Sequence, residues 1–516
     1  MLQQHSDAET MHGLLRDARV AQRAAHYDAA LELLAGCEDW PGEPAEHGVL
    51  AKAEILGRRS PTEGLAYLAG VDDLFATDAG RFGRDVEYGR LHAAVRDYTS
   101  AESRYADARA LQDAVPHGVH TMAYHDLRMR WVRRACDPDA PEVALALAHP
   151  DPSIASAAYA YRAWLHAGNE NYQGHIDDLI RAVSYATLAG DEPVDVAAVA
   201  TSVHALAQVS FETAHEVGIA AARVACDAIP WTPDLQVAHF MTTRAFGWDA
   251  FMRGNPGQAQ WIFKEARSLA PSATWRIMGH LDRAYVARIS HNEFWAVEEI
   301  AQADALAFDV AWGSSFGEER QLLVTLAILH ARTDAGRAQR YATMYSQIGT
   351  ESVNPSLAMH GDKRATAHAK YAQGRIDQTL GRRNAAVASL SEAYAIFDDA
   401  AFHYRAALAA TALAELTGEM RWRTAATAHA RRYPECPMVA IADQAVELEE
   451  AMPAQLSPLQ RQIARALWSG AQPTELSRRF SRSVYRIQRQ IDVVYHAFGV
   501  ASRTALLDEA RRRGLQ

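Results

Sequence analysis

The stretch "LGRRNAAVASLSEA", Leu380 to Ala393, places a glycine-containing break directly before a run that opens on alanine. Variants of the same unit stand along most of the chain. They are "AHYDAALELLAG" around Ala30, "SPTEGLAYLAG" around Leu65, "RDYTSAESRYADA" around Ala101, "TAHEVGIAAARVACDA" around Ala220, "RGNPGQAQWIFKEA" around Ala259, "SHNEFWAVEEIAQA" around Ala296 and "TDAGRAQRYATMY" around Ala338, with the copy at Leu380 centred on Ala386. Successive anchors lie 35 to 48 residues apart where the copies adjoin. A drifting period of that length predicts stacked helical hairpins, an all-α solenoid, because one hairpin cannot bury its apolar face alone. Small residues such as Ala259 and Ala296 then serve close helix approach. Residues 140 to 200 resist placement in this register.

The 516 residues, 49% of them hydrophobic, suffice for a large buried core divided among modules. No run of about 20 apolar residues is present to span a bilayer, and "MLQQHSDAETMHGLLRDARVAQR" lacks the basic start and apolar centre of a secretory signal. The expected location is the cytoplasm, away from membranes. Cys37, Cys136, Cys226 and Cys436 are scattered, with no C-x-x-C pair, and are expected to be buried and reduced.

Catalytic patterns fail on physical grounds. No G-x-x-x-x-G-K-[ST] loop cradles a nucleotide, and the glycines of "GRFGRD" (Gly80 to Asp85) follow no strand. "HEVGIA" at His215 lacks the second histidine that a shared metal needs one turn on. In "HGVHTMAYH", His125 falls off the helix face shared by His117 and His120. The expectation is a non-enzymatic protein without metal or cofactor.

Charge is distributed unevenly. Residues 456 to 516 carry 11 Arg, no Lys and 4 acidic residues, a net +7, which leaves −18 on the rest. A basic module on an acidic body points to a polyanion, since phosphate neutralisation with counterion release drives most nucleic-acid affinity. Within this module Ser457 and Pro458 start a helix that Gly470 closes. A second helix follows from Pro473 to Phe480. After Ser481-Arg482, Ser483 caps a third that ends at Gly499, and a fourth runs from about Arg503 to Arg513. A tight turn between the second and third helices predicts a helix-turn-helix. Ile487, Ile491, Val494 and Phe498 form one apolar stripe in the third helix. Tyr485, Arg489, Asp492 and His496 then face outward, with Arg486 and Gln488 at the margins. Arg489 and Gln488 are the candidates for reading bases, by paired hydrogen bonds to guanine and adenine; Arg482 and Arg486 suit phosphates, with Ser483 and Tyr485 beside them.

Two resemblances attach to these residues. The body, over most of residues 10 to 420, resembles tetratricopeptide repeats, with the L-G-x-x-x-x-A turn in "LGRRNAAVASL" and looser copies in "RGNPGQAQWIF" and "SHNEFWAVEEI". This resemblance implies a curved array whose groove holds a protein, a peptide or a small effector; Tyr159, Tyr161, Trp164, Phe246 and Trp248 are candidates to line it, or else to pack between repeats. Residues 456 to 507 resemble the DNA-binding domain of LuxR (GerE) regulators through "LSPLQRQIARALWSG", "TELSRRF" and "RIQRQIDVVYHAFGV". That implies a four-helix module with its third helix in the major groove, duplex DNA and RNA polymerase as partners, and a homodimer on DNA. The sequence departs from the LuxR pattern at Gln460 (acidic in the family), Pro473 (asparagine), Arg482 (apolar), Arg486 (threonine), Gln488 (lysine) and Gln490 (histidine). The expected organisation is a solenoid at 1–450, a linker at 451–455 and the module at 456–516, together a bacterial transcription regulator. The alternative is an interaction scaffold whose degenerate helix-turn-helix serves dimerisation or protein binding.

Overall fold

The structure is a computed structural model describing residues 2–133, 137–185, 195–290, 292–308, 310, 312, 317–331, 334–347, 363–433, 435–437, 452–453, 455–468, 471–480 and 482–512. Regular structure among them is helical throughout, with 26 α-helices and no strand. Consecutive helices pair: Leu2–Arg23 with Tyr27–Leu33, Asp78–Ala94 with Tyr98–Leu111, Gln236–Met252 with Pro256–Ser268, Ala273–Ile289 with Glu293–Ala307, Lys363–Thr379 with Arg383–Asp399. The first helices of neighbouring pairs also pack on one another, as Val196–Glu212 does on Gln236–Met252.

The turn inside these pairs has one recurring geometry. A residue in the left-handed region ends the first helix, and the next residue's N–H donates to the carbonyl five positions back: Asp97 to His92 (2.9 Å), Asn171 to His166 (2.9 Å), His215 to Ser210 (2.8 Å), Asn255 to Ala250 (2.9 Å) and Arg382 to Asp377 (2.8 Å). This closure satisfies carbonyls that the helix end would otherwise orphan, and it favours glycine at the left-handed position. Gly254 and Gly381 supply it at φ 80° and 73°, whereas Arg96, Glu170 and Ala214 adopt the same conformation without being glycine. The residue that follows caps the second helix: Asp97 accepts from the Ser100 N–H and Asn171 from the Gly174 N–H.

Four residues beyond that cap comes the position where the paired helices touch. It is fully or nearly buried at Ala30, Ala101, Ala259, Ala296, Ala338 and Ala386. Two anchors taken from sequence were off by one: the buried positions are Gly64 and Ile219, while Leu65 is half-buried and Ala220 exposed. A Cβ on Gly64 would lie 2.8 Å from the Gly57 Cα, so glycine here lets two helices meet backbone to backbone. Residues 140 to 200 resisted register because Pro141–Leu147 is only seven residues long and His175 takes the alanine position, its ring Nδ1 2.7 Å from the Ala163 carbonyl.

The body also closes on itself across long sequence distances. Arg23 bonds Asp151 at 2.7 Å, and Arg58 bonds Asp195 at 3.0 Å. From the other end, Arg405 reaches Glu212 at 2.8 Å, Tyr404 packs edge-on against Phe211, and the buried Tyr433 hydroxyl donates to the Glu212 carbonyl at 2.9 Å. One apolar core consequently runs from Leu15 to Cys436. Cys37 and Cys436 are buried; Cys226, expected buried, is half-buried, and Cys136 lies outside the described residues. No helix among the described residues is long and apolar enough to cross a membrane.

Candidate nucleic-acid interface

The C-terminal module has its own core of Met452, Leu456, Ile463, Leu467, Leu476, Ile487, Ile491, Val494, Phe498 and Leu506, among others. Met452, placed in the linker by sequence, is 4% exposed and packs in this core. The module's helices are Pro458–Trp468, Pro473–Arg479, Val484–Phe498 and Arg503–Arg512; the expected stop Gly470 lies outside the described residues. Trp468 packs edge-on against Phe498 at 5.9 Å, and Arg503 donates to the Leu467 carbonyl at 3.2 Å, joining the first, third and fourth helices.

Three of the departures from the LuxR pattern have a structural account. The Ser457 hydroxyl accepts from the Gln460 N–H at 3.4 Å, and the Gln460 carboxamide accepts from the Ser457 N–H at 2.8 Å, a reciprocal cap that glutamine completes as well as glutamate. The same Gln460 side chain donates to the Gln490 side chain at 2.9 Å. The two glutamines therefore depart together and tie the first helix to the third. At Arg482 the backbone is held from both sides by Ser477: the Arg482 N–H donates to the Ser477 carbonyl (3.0 Å), and the Ser477 hydroxyl donates to the Arg482 carbonyl (2.6 Å). With the turn fixed through main chain, the side chain needs no buried site and is exposed.

Ser483 caps the third helix by accepting from the Arg486 N–H at 3.3 Å, and Gly499 ends it at φ 67°. Ile487, Ile491, Val494 and Phe498 are buried at 4% exposure or less. Arg482, Ser483, Tyr485, Arg486, Gln488, Arg489, Asp492 and His496 are all exposed, Tyr485 at 74%. Among the described residues the guanidinium groups of Arg482, Arg486 and Arg489 have no ion-pair or hydrogen-bond partner. Gln488 differs: its carboxamide donates to Asp492 at 3.2 Å along the same helix. Arg489, Asp492, Val493 and His496 line a shallow open depression on this face.

The five groove candidates are not gathered into one surface. Trp248 (5% exposed) lies among Phe251, Phe263, Tyr285 and Tyr404, and Phe246 (8%) lies under Arg223. Both belong to the main apolar core, and Tyr404 packs directly on Trp248. Tyr159 packs on Tyr185 and Trp164 on His175, while Tyr161 stands apart, between Tyr124 and Trp131. The histidines of residues 117 to 125 also divide. His125 is buried against Tyr105 and Tyr124, and His149 takes its place beside His117 and His120 with ring centroids 6.4 to 6.5 Å away. His149 Nδ1 accepts from the Asp151 N–H and its Nε2 lies 3.2 Å from the Thr121 hydroxyl, so both ring nitrogens are engaged. Among the described residues no group of three or more His, Cys, Asp or Glu side chains is placed to share a metal.

No protein-family model matches this chain, and no curated protein sequence matches it.

Proposed function

We propose that this chain is a DNA-binding transcription regulator of the LuxR kind, in which a tetratricopeptide-like solenoid receives an effector and controls a C-terminal helix-turn-helix module. The observation that carries the reading is the outer face of the Val484–Phe498 helix. Arg486 and Arg489, with Arg482 at the preceding turn, stand exposed and without anionic partners opposite a fully buried stripe. In an acidic chain, cations left unpaired on a helix that is otherwise capped and packed suit phosphate oxygens and guanine edges. Stacked hairpins with one repeated turn geometry support the solenoid part.

The test is selection of the full-length protein and of residues 450–516, separately, against a random duplex library at moderate salt. Enrichment of a short inverted repeat, lost on Arg489→Ala, supports the reading; silence of the full-length chain beside an active fragment assigns inhibition to the body. The scaffold reading draws on one observation, the Gln488–Asp492 bond, which ties up a base-reading amide and leaves a carboxylate on the face. It requires that neither protein enrich any sequence and that residual binding lack a steep salt dependence.

A further inference from the structure

The Gly118–Arg133 helix carries Tyr124, Arg128 and Trp131 at i, i+4 and i+7, one face of one helix. Neighbouring helices contribute to the same place: Tyr105 from Tyr98–Leu111 and Tyr161 from Pro152–Gly168, both of which pack on it. The rings form a continuous series. Tyr105 lies 5.0 Å from His125, His125 5.0 Å from Tyr124, Tyr124 5.9 Å from Tyr161, and Tyr161 5.5 Å from Trp131.

Arg128 is the unusual member. The ionisable groups that weigh most on it are the phenols of Tyr161, Tyr105 and Tyr124 and the guanidinium of Arg90, with no carboxylate. Among the described residues it forms no salt bridge, and its one hydrogen bond, to the Arg90 carbonyl, is long at 3.5 Å. Nearby arginines already have their acids: Arg90 bonds Glu87 at 2.7 Å, and Arg58 bonds Glu54 at 2.8 Å and Asp195 at 3.0 Å. Two further polar atoms here are buried without partners, the Tyr105 hydroxyl and His125 Nδ1, on residues 3% and 5% exposed. Such groups cost free energy unless something bonds them. Burial, reinforced by Arg128 and Arg90, pushes the His125 imidazole down to about 3, so it is neutral and adds no charge beside Arg128.

We propose that Tyr105, Tyr124, Arg128, Trp131 and Tyr161 form a binding site for a monocarboxylate with a flat apolar body, the carboxylate seated on Arg128 and the body against the rings. Among the described residues Arg128 has no carboxylate in contact and one long bond to the Arg90 carbonyl, so its N–H groups suit a single carboxylate. A dianion would bring a second into a neighbourhood that already holds Glu54, Glu87 and Asp195. Arginine's parallel N–H pair matches a carboxylate, the phenol hydroxyls donate to its remaining lone pairs, and the rings cover an aromatic or planar aliphatic remainder. The proposal rests on reading the body as the part that receives an effector, and names the chemistry it receives.

The test uses the full chain in the absence of DNA, so its failure leaves the DNA reading untouched. Benzoate, phenylacetate and indole-3-acetate, each beside its primary amide, and tripeptides ending in Phe with free or amidated C-termini, are titrated by calorimetry. The acids are expected to bind at least about tenfold more tightly than their amides, consistent with a charge-assisted bond; the arm that binds tells a small acid from a peptide terminus. Arg128→Gln is expected to remove that preference while leaving the Tm of the free protein unchanged or higher, because it deletes an unpaired cation. Tyr161→Phe, which removes one hydroxyl and no bulk, is expected to weaken the acids by roughly threefold to tenfold and leave the amides alone. Absence of binding by every probe, equal binding of acids and amides, or an Arg128→Gln protein that is destabilised yet still prefers acids would each overturn the proposal.

Discussion

In the body, Arg162 grips Asp178 through two bonds of 2.7 Å, Arg405 is joined to Glu212 at 2.8 Å, and Arg58 is held between Glu54 and Asp195. On the third helix of the module, Arg486 and Arg489 have no ion-pair partner among the described residues, and neither does Arg482 at the turn before it. One residue type thus does two jobs in one chain. Paired arginines hold hairpin to hairpin across the body, and unpaired ones face outward from a module whose packing is complete without them. The difference lies in the partner rather than in the arginine, so composition alone does not separate the two uses. Arg128 sits in the body but is provisioned like the module's arginines, and this inconsistency makes it a candidate site.

The comparison breaks most visibly if a body pair is halved. Glu212→Leu strands the Arg405 guanidinium among buried groups and is expected to cost about 3–5 kcal/mol in denaturant unfolding, most of it recovered by adding Arg405→Met. Recovery failing in the double variant would mean that the pair itself, and not the stranded charge, carries the stability. Next, Ile491→Ala opens a cavity under the outward face and should cost the module about 2–5 kcal/mol, with DNA binding lost along with folded signal. Arg489→Ala is the sharper probe: a loss of about 1–3 kcal/mol in DNA affinity with Tm unmoved, read by fluorescence anisotropy, and relaxed preference at one base position. Arg482→Ala should instead weaken all sequences alike and lower the salt slope by about 1. The smallest effect belongs to Gln460 and Gln490, whose coupling in a double-mutant cycle should be about 0.5–1.5 kcal/mol.

Acid provides an independent check on the body. Burial pushes His125 down to about 3 and His204 to about 4, against an ordinary value of 6.5. As pH falls below about 6.5 the unfolded chain takes up protons that these folded histidines refuse, so stability is lost across that window down to about 3. Glu54, held near 2 by Arg58 and Arg90 against its burial, adds a loss from about 4.5 downward. A Tm that stays flat between pH 7 and pH 4 would contradict both.

The helical class, the buried stripe of the third helix and its capping by Ser483 were legible in sequence because they depend on spacing within about a dozen residues. The outward placement of Arg489 followed from the same stripe. What was not legible depends on distant partners. On sequence alone Trp248 and Phe246 could line a groove or pack between repeats; Tyr404, more than 150 residues on, packs on Trp248, and both side chains are buried. The hairpin turns were partly hidden because Gly254 and Gly381 announce a left-handed residue, while Arg96, Glu170 and Ala214 adopt it unannounced. Arg128 carried no local signal, since its lack of an acid is a property of four helices together.

The ties from Arg23 to Asp151 and from Tyr433 to Glu212 also bear on how the body comes apart. An array joined only between neighbours frays from its ends, one repeat at a time. Here both ends are stitched to the middle, so melting should be a single cooperative event, and folding must wait for contacts between residues more than 200 positions apart.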